Sequence, residues 1–590
     1  MLWETCTSRR WIAAWRRGAY GLTAAVVGGC TGTGPTGVGA PANVTEAGLP
    51  SGDDSGPPVI VIPNATEDAG SGAIDAMADA ASDAAVDAMA DAGAIVGDGA
   101  LDASDAPTCD ESKPPIVNPC VVADAFGVFV APPSAADAGG TPPGDAAAAT
   151  GDGTMENPFP TIGAALANLG GKSNVFICDG DYTEAVSIDS AHQANLFGGL
   201  NCSNRAAWTY MGGVARVTGP DASQPTLTVS HVAATLAIQD ISFEAPSGTM
   251  PNADGSGESS IAAWVNTSSV TFTRVVLTAN DGANGAAGTP SDMFASGQPA
   301  AAAQGTIAPT QTCPTPPMAA MPYSSTGGAG GSAGVNGGEG QAYPPPPMLT
   351  GMGGPSSISN TAADGDDGAD GVVGPGGVAA TTIGQLTDTV AWVPSRGGMG
   401  ATGTPGEGGG GGGSGYDSQT ETYLPGAAGG LGGCGGEGGQ GGAGGGASVA
   451  LVSRESTVNL LGCSLVTANG GNGGPGAKGG TGEYGGLGAQ LAASSGGTGG
   501  NGACGSGGAG GTGGISVGVL YSGSMPLNDA ATSITLGQGT GGGKGGAAGP
   551  AGMGPVLPPP DARPLASGLP GTSGLDLDGT YSRFEAIQSP

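Results

Sequence analysis

The chain has little from which to build a broad hydrophobic core and little positive charge with which to hold a polyanion. Aromatic residues make up 4% of its 590 positions and charged residues 11%, while Gly fills 123. Gly brings no side chain to bury and loses the most backbone freedom on folding. These scarcities exclude an ordinary packed core running the whole length. They leave a modest core in a few segments, separated by low-complexity stretches. Lys and Arg number 15 against 49 Asp and Glu, a formal net charge of −34. A surface of that sign repels phosphate backbones and anionic headgroups, so no nucleic-acid partner is expected. His occurs twice, at His192 and His231, and no Cys/His cluster has zinc spacing, so no metal, cofactor or catalytic residue is assigned.

The first thirty residues read as a targeting segment. Arg9, Arg10, Arg16 and Arg17 form a positive stretch ahead of the apolar run Ala19–Val27, which ends in Gly28–Gly29–Cys30. That ending resembles a bacterial lipobox, and the resemblance implies a signal over 1–29, lipidation of Cys30, and a membrane partner reached through the lipid. Thr31 rather than Asp after the Cys suits an outer-membrane lipoprotein or cell-surface location in a bacterial envelope. No later run is apolar for the roughly 20 residues that a spanning helix needs. Residues 30–122 form an acidic Ala/Asp/Gly/Pro-rich tether, expected to stay extended because its acids lack basic partners. A short helix over 73–92 is the alternative there. Export places the remaining cysteines in an oxidising compartment, where disulfides are the default. Proximity in sequence favours Cys109 with Cys120 and Cys178 with Cys202.

Beyond residue 123 a repeated apolar frame emerges. With Leu236, Val270 and Val458 aligned as position n, position n+2 holds Ile238, Phe272 and Leu460. Position n+5 holds Ile241, Val275 and Cys463, and n+7 holds Phe243, Leu277 and Leu465. Position n−9 holds Leu227, Ile261 and Val449. Apolar pairs two apart are strands with one face inward, and the three-residue step between pairs is a corner. The expectation is an all-β, right-handed parallel β-helix, a solenoid with a short N-terminal capping helix at Pro160–Ala167 and long Gly-rich loop insertions. Asn280 and Asn469 each follow Thr-Ala and are expected to turn corners in the left-handed conformation. Rungs are assigned to 123–280 and again to 447–590, separated by a Gly-rich insertion over 281–446. Shorter tracts follow at 470–514 and 539–554. Their rough three-residue period suits extended helices packed side by side, and disorder is the competing reading.

The segments Val128–Pro132, Asn157–Ile162, Asp179–Glu184 and Phe197–Gly199 resemble the opening of right-handed parallel β-helix proteins of the pectate-lyase-like group. The glycine tracts resemble PGRS-type surface proteins in composition. The first resemblance implies the fold and a helix capping its end, but no single activity. Gly330–Gly334 matches a nucleophile elbow only by chance, since no strand precedes it. The four carboxylates of Asp364–Asp370 fit no calcium loop and read as a solvated acidic turn. Arg274, with Asp240 on the preceding rung, is the one groove constellation with lyase or hydrolase chemistry in reach. The leading expectation is a non-enzymatic, lipid-anchored structural or adhesion protein. A carbohydrate-binding module is the alternative, and an extracellular polysaccharide or a surface protein is the expected partner.

Overall fold

The computed structural model describes residues 109–110, 113–132, 151–290, 299–316, 321–537, 541–553, 564–577 and 582–587. Cys30, the signal over 1–29 and nearly all of the tether lie outside the described residues. The fold is nearly all-β. Three sheets of parallel strands dominate it, and from Asn174–Cys178 onward the chain visits them in fixed rotation. The first sheet orders Gly127–Val130, Asn174–Cys178, Asn195–Asn201, Thr235–Gln239, Ser269–Thr273, Thr457–Leu461 and Leu527–Asn528, with Thr209–Tyr210 antiparallel on its third strand. The second orders Gly180–Thr183, Ala215–Thr218, Ile241–Ala245, Val276–Ala279, Ser464–Val466 and Ser533–Thr535. The third orders Val186–Ile188, Leu227–Ser230, Ser260–Asn266, Ser448–Arg454, Ser516–Ser522 and Ser582–Ala586.

Registers follow the apolar frame in the first two sheets. Val270 pairs with Leu236 on one side and Val458 on the other, and Leu277 pairs with Phe243 and Leu465. Ile238, Phe272 and Leu460 are fully buried in a core that all three sheets share. Cys463 stands in the same column as Ile241 and Val275, so its thiol fills an aliphatic position and stays unpaired. Cys504 is also a free buried thiol, packed with Tyr484 and Leu565. The other described cysteines join as Cys109–Cys120, Cys178–Cys202 and Cys313–Cys434.

The third sheet departs from the frame. Leu227 pairs with Ala263, not Ile261. Four residues turn the corner between Ser230 and Thr235, but only two between Asn266 and Ser269, so aligning on Val270 displaces the third-sheet strand by two positions. Ile261 and Val449 face outward. There they join Trp264, Val452 and Leu520 beneath Leu386, Ala391 and Trp392 of a covering hairpin. Burial on both faces explains the near-continuous apolar run of these strands.

Corners also differ from expectation. Asn280 and Asn469 do not adopt positive φ; the left-handed residues are His231, Thr267 and Glu455 at one corner, and Asp240 and Arg274 at another. Gly523 and Gly462 continue these two columns with φ of 83° and 62°, the conformation that favours Gly. At the N-terminal end helix α1, Ile162–Ala167, lays Ile162, Ala165 and Leu166 on the shared core. Its start is doubly held. Thr161 Oγ1 accepts the Ala164 N–H at 3.1 Å, and Glu184 accepts the Ile162 and Gly163 N–H groups at 2.8 Å each.

All three glycine tracts leave from the second sheet and return to the third. Much of their described length forms extended segments bonded to one another at every third residue. N–H groups of Gly430, Gly433, Gly436, Gly439 and Gly442 donate to carbonyls of Gly497, Gly500, Ala503, Ser506 and Ala509 in parallel register. Gly499, Gly502, Gly505, Gly508 and Gly511 donate antiparallel, to Gly486, Glu483, Gly480, Ala477 and Gly474. Residues 495–515 bond in this way to 365–377, 398–410, 430–445, 471–486, 543–552 and 566–575, which surround them. An extended helix of three residues per turn has no internal hydrogen bonds, so its neighbours must supply them. Lateral approach then leaves no room for Cβ: one built on Gly499 would overlap the Leu431 carbonyl.

The acidic run Asp364–Asp370 belongs to this bundle rather than to a turn. Asp364, Asp367 and Asp370 accept the backbone N–H groups of Ser495, Thr498 and Asn501 at 2.6, 2.7 and 2.8 Å. Between them Gly365, Gly368 and Gly371 donate to the carbonyls of the same three residues. Asn284 and Asn472 repeat the device one layer apart, accepting from Asn472 and Lys544.

Gly499→Ala should destabilise by about 2 kcal/mol or more, since backbone rather than a flexible side chain blocks the new methyl. Met399→Ala, an exposed position in the same bundle, should change stability by less than about 0.5 kcal/mol. Equal midpoints for the two variants in urea unfolding would contradict the packing described.

Candidate functional site

The corner between the first and second sheets places one residue per rung in a column. Asp179 follows the strand ending at Cys178, Asp240 the strand ending at Gln239, Arg274 the strand ending at Thr273, and Gly462 the strand ending at Leu461. Backbone bonds run along it: the Asp179 N–H donates to Leu200 O, Asp240 to Thr273 O and Arg274 to Leu461 O. Gly198 and Gly199 occupy the rung between the two aspartates, with φ of 74° at Gly199.

Arg274 and Asp240 meet. Arg274 Nε and Nη2 donate to Asp240 Oδ1 and Oδ2, both at 2.7 Å, a bidentate pair. Tyr210 Oη donates to Asp240 Oδ2 at 3.1 Å, and Arg274 Nη2 lies 3.4 Å from Tyr210 Oη. Asp240 is buried, and 40% of the Arg274 side chain is exposed. The hydrogen bonds from Arg274 to Asp240 hold the guanidinium more firmly charged, and burial together with the Asp240 charge pushes the Tyr210 phenol up. Both groups of the expected constellation are thus engaged with each other at a left-handed corner. Glu244, on the rung of Asp240, instead accepts from Asn280 Nδ2 at 3.2 Å.

Asp179 is the group in this column that the groove reading passed over. Its Oδ1 is buried with no protein hydrogen bond, and its Oδ2 lies where a side chain on Gly213 would go. Burial first, and the Asp240 charge second, raise its pKa above the ordinary carboxylate value. Beside it opens a cavity of about 520 Å³ lined by Ala131, Pro158, Asn201, Ser203, Arg205 and Trp208. The Cys178–Cys202 disulfide ties the loop that carries these polar residues to the first sheet. Trp208 packs edge-on against Phe129 at 5.0 Å, in a cluster with Val121, Val122 and Phe176. The neighbouring residues of the Asp179–Glu184 segment have structural roles. Tyr182 Oη donates to Cys178 O at 2.9 Å, and Glu184 caps helix α1.

Among the described residues no group of three His, Cys, Asp or Glu side chains is arranged to hold a metal ion, and no helix is long and apolar enough to cross a membrane. No family model matches the sequence, and no curated protein matches it. A crystal structure of pectin methylesterase in complex with hexasaccharide VII is similar over 28% of this chain and 50% of that chain, at 15% sequence identity and a TM-score of 0.15. The match spans half of that protein and bears on no activity.

Two outcomes follow from the column. Arg274→Ala leaves the Asp240 carboxylate without its cation, and stability should fall by about 1–3 kcal/mol in urea unfolding. That is less than the roughly 3–5 kcal/mol for breaking a fully buried pair, because Arg274 is partly solvated. An unchanged midpoint would show that the pair does not hold the corner. For Asp179 the folded-state pKa lies above the unfolded one, so folding favours the protonated acid. Its contribution is present below the ordinary carboxylate value and is lost as pH rises through the raised one. Asp179→Asn should therefore raise the melting temperature at about pH 7 and narrow its difference from that at about pH 4. A variant that melts lower at neutral pH would refute the sign.

Proposed function

We propose that the three parallel sheets close into a right-handed β-helix, and that the chain is a lipid-anchored, non-enzymatic structural or adhesion protein of a bacterial envelope. The observation that supports this best is the continuity of the hydrogen-bond ladder. Val276–Ala279, Ser464–Val466 and Ser533–Thr535 stack in one sheet, and the chain beyond them continues the stack: Gly282 donates to Asn469, and Gly470 to Gly541. On the return side, Ser448–Arg454 and Ser516–Ser522 are prolonged in the same way by 430–445 on 497–512. Rungs and glycine bundle thus form one laterally bonded block, suited to bearing load and holding a contact surface at a distance. The bidentate tie of Arg274 to Asp240 fits a corner brace better than a base awaiting substrate.

The test is localisation of the full-length chain in a bacterium with an outer membrane. It should sediment with membranes and be digested by protease added to intact cells, while Cys30→Ala should appear in the soluble fraction. Retention of Cys30→Ala in the membrane would remove the lipid anchor. Acidic and neutral polysaccharides incubated with the protein, with and without Ca²⁺, should keep their chain length. Shortening by the wild type that Arg274→Ala abolishes, while keeping its fold, would replace this reading with the enzymatic one.

A further inference from the structure

We infer that the strand Ser582–Ala586 pairs with the same strand of a second copy of this chain, antiparallel about a two-fold axis at Phe584. The strand closes the third sheet, bonded to Ser516–Ser522 on one side and to no described strand on the other. Such an edge presents a row of N–H and C=O groups that can template a further strand. Its phase is fixed. The Ile587 N–H donates to Tyr521 O, so by alternation Arg583 and Glu585 also turn their backbone groups toward the sheet, and Ser582, Phe584 and Ala586 turn theirs away from it. Ser582 Oγ donates to Phe584 O at 2.7 Å, and a carbonyl has a second lone pair to offer. The core side of this edge is also incomplete. Leu227, Ala263, Leu451 and Val519 stack in register and are fully buried, whereas Phe584, next in the same column, is only half-buried.

The occupant follows from the sequence of the strand, which complements itself. In an antiparallel pair centred on Phe584, the two Phe584 residues exchange both backbone bonds, and Ser582 does the same with Ala586 of the second copy. These are the hydrogen-bonded pairs that the outward groups require. Arg583 then lies directly opposite Glu585 of the second copy, and Glu585 opposite Arg583, in the closer pairs without backbone bonds. Glu585 pairs with Leu520 of the outward-facing cluster, and Arg583 shares its face, so the opposed charges meet outside the core. Neither forms an ion pair with a described residue. Centring the pair on Arg583 or Glu585 would instead set like charges face to face. A head-to-tail stack is disfavoured, because the other end of the fold is covered: helix α1 lies on its core, and Phe129 of the first strand is bonded to Gly153 and Phe159. The contact therefore closes as a dimer rather than growing into a fibre. Pairing does not depend on the lipid anchor. With the anchor in place, the N-terminal ends of the two copies point in opposite directions, as in a contact between two cells.

The test is sedimentation velocity on the full-length chain carrying Cys30→Ala throughout, so that no lipid can hold two copies together. Salt of about 0.15 M screens the like net charges of the copies beyond about 8 Å. The parent chain should form a dimer as its concentration rises. Arg583→Glu alone and Glu585→Arg alone should each weaken it about tenfold or more, since each replaces two attractive cross-strand pairs by two repulsive ones. An equimolar mixture of these two variants should dimerise again, because each strand of one sign then faces a strand of the other, and the double variant Arg583→Glu/Glu585→Arg should dimerise like the parent. Melting temperatures report whether each variant is folded. A parent chain that stays monomeric up to about 100 μM, single variants that keep its dimer, or no dimer in the mixture would each overturn the inference. None of those results would alter where the wild type and Cys30→Ala fractionate.

Discussion

An extended backbone makes no hydrogen bonds to itself, and every part of this fold answers that constraint. In the rungs the answer is the parallel ladder, with strands about 4.8 Å apart. In the glycine tracts the same N–H and C=O groups point in three directions around a three-residue turn, so one neighbour cannot satisfy them. Residues 495–515 are bonded on every side by six other segments, and only a backbone stripped of Cβ can be approached so closely from so many directions. Glycine content that is costly in chain entropy is thereby converted into lateral bonding density. The rungs supply what a free glycine tract lacks, a fixed register at both ends. The tract leaves one sheet already stacked on its neighbour and re-enters another in the same state.

Much of the architecture was legible because periodicity reports backbone geometry. The two-residue spacing of Leu236–Ile238, Val270–Phe272 and Val458–Leu460 marks strands that do pair, across 188 residues in the last case. The three-residue period of the tracts marked extended helices, though sequence alone left disorder open, since nothing in a glycine tract states which neighbour it will meet. The third sheet was less legible. Its strand Ser260–Asn266 is buried on both faces, so the pattern of Ile261 to Val265 carries no phase, and nothing in it reports the length difference between corners. In the run Asp364–Asp370 the density of charge suggests a solvated turn, whereas the informative pattern is the Asp-Gly-x repeat. In that repeat the Asp caps one N–H of the adjoining segment while the following Gly donates to a carbonyl of the same segment.

The candidate site was half visible. Asp240 and Arg274 were paired because they sit 34 residues apart on consecutive rungs, and the structure brings them into contact. Asp179 opens the segment Asp179–Glu184, but nothing in that segment marks it as a member of the same column. The available signal is positional: Asp179, Asp240 and Arg274 each follow directly on the end of a first-sheet strand. Trp208 gave no such signal, because its place on Phe129 depends on a loop whose path is set by a disulfide and by the Thr209–Tyr210 strand.

The acidic balance acquires a different meaning in this structure. A charge of −34 would ordinarily speak only of solubility, yet many of these carboxylates are acceptors for backbone N–H groups that extended segments leave over. Glu407, 1% exposed, accepts from Thr350 and Ala369. Glu483 accepts from the Cys434 N–H, and burial raises its pKa. Glu184 does the same for helix α1. A carboxylate offers two oxygens and no donor, so it can take the N–H groups that an extended segment leaves without a carbonyl. Against this background Asp179 stands out: among so many carboxylates matched to N–H groups, its buried Oδ1 faces none, and it lies on the wall of a cavity.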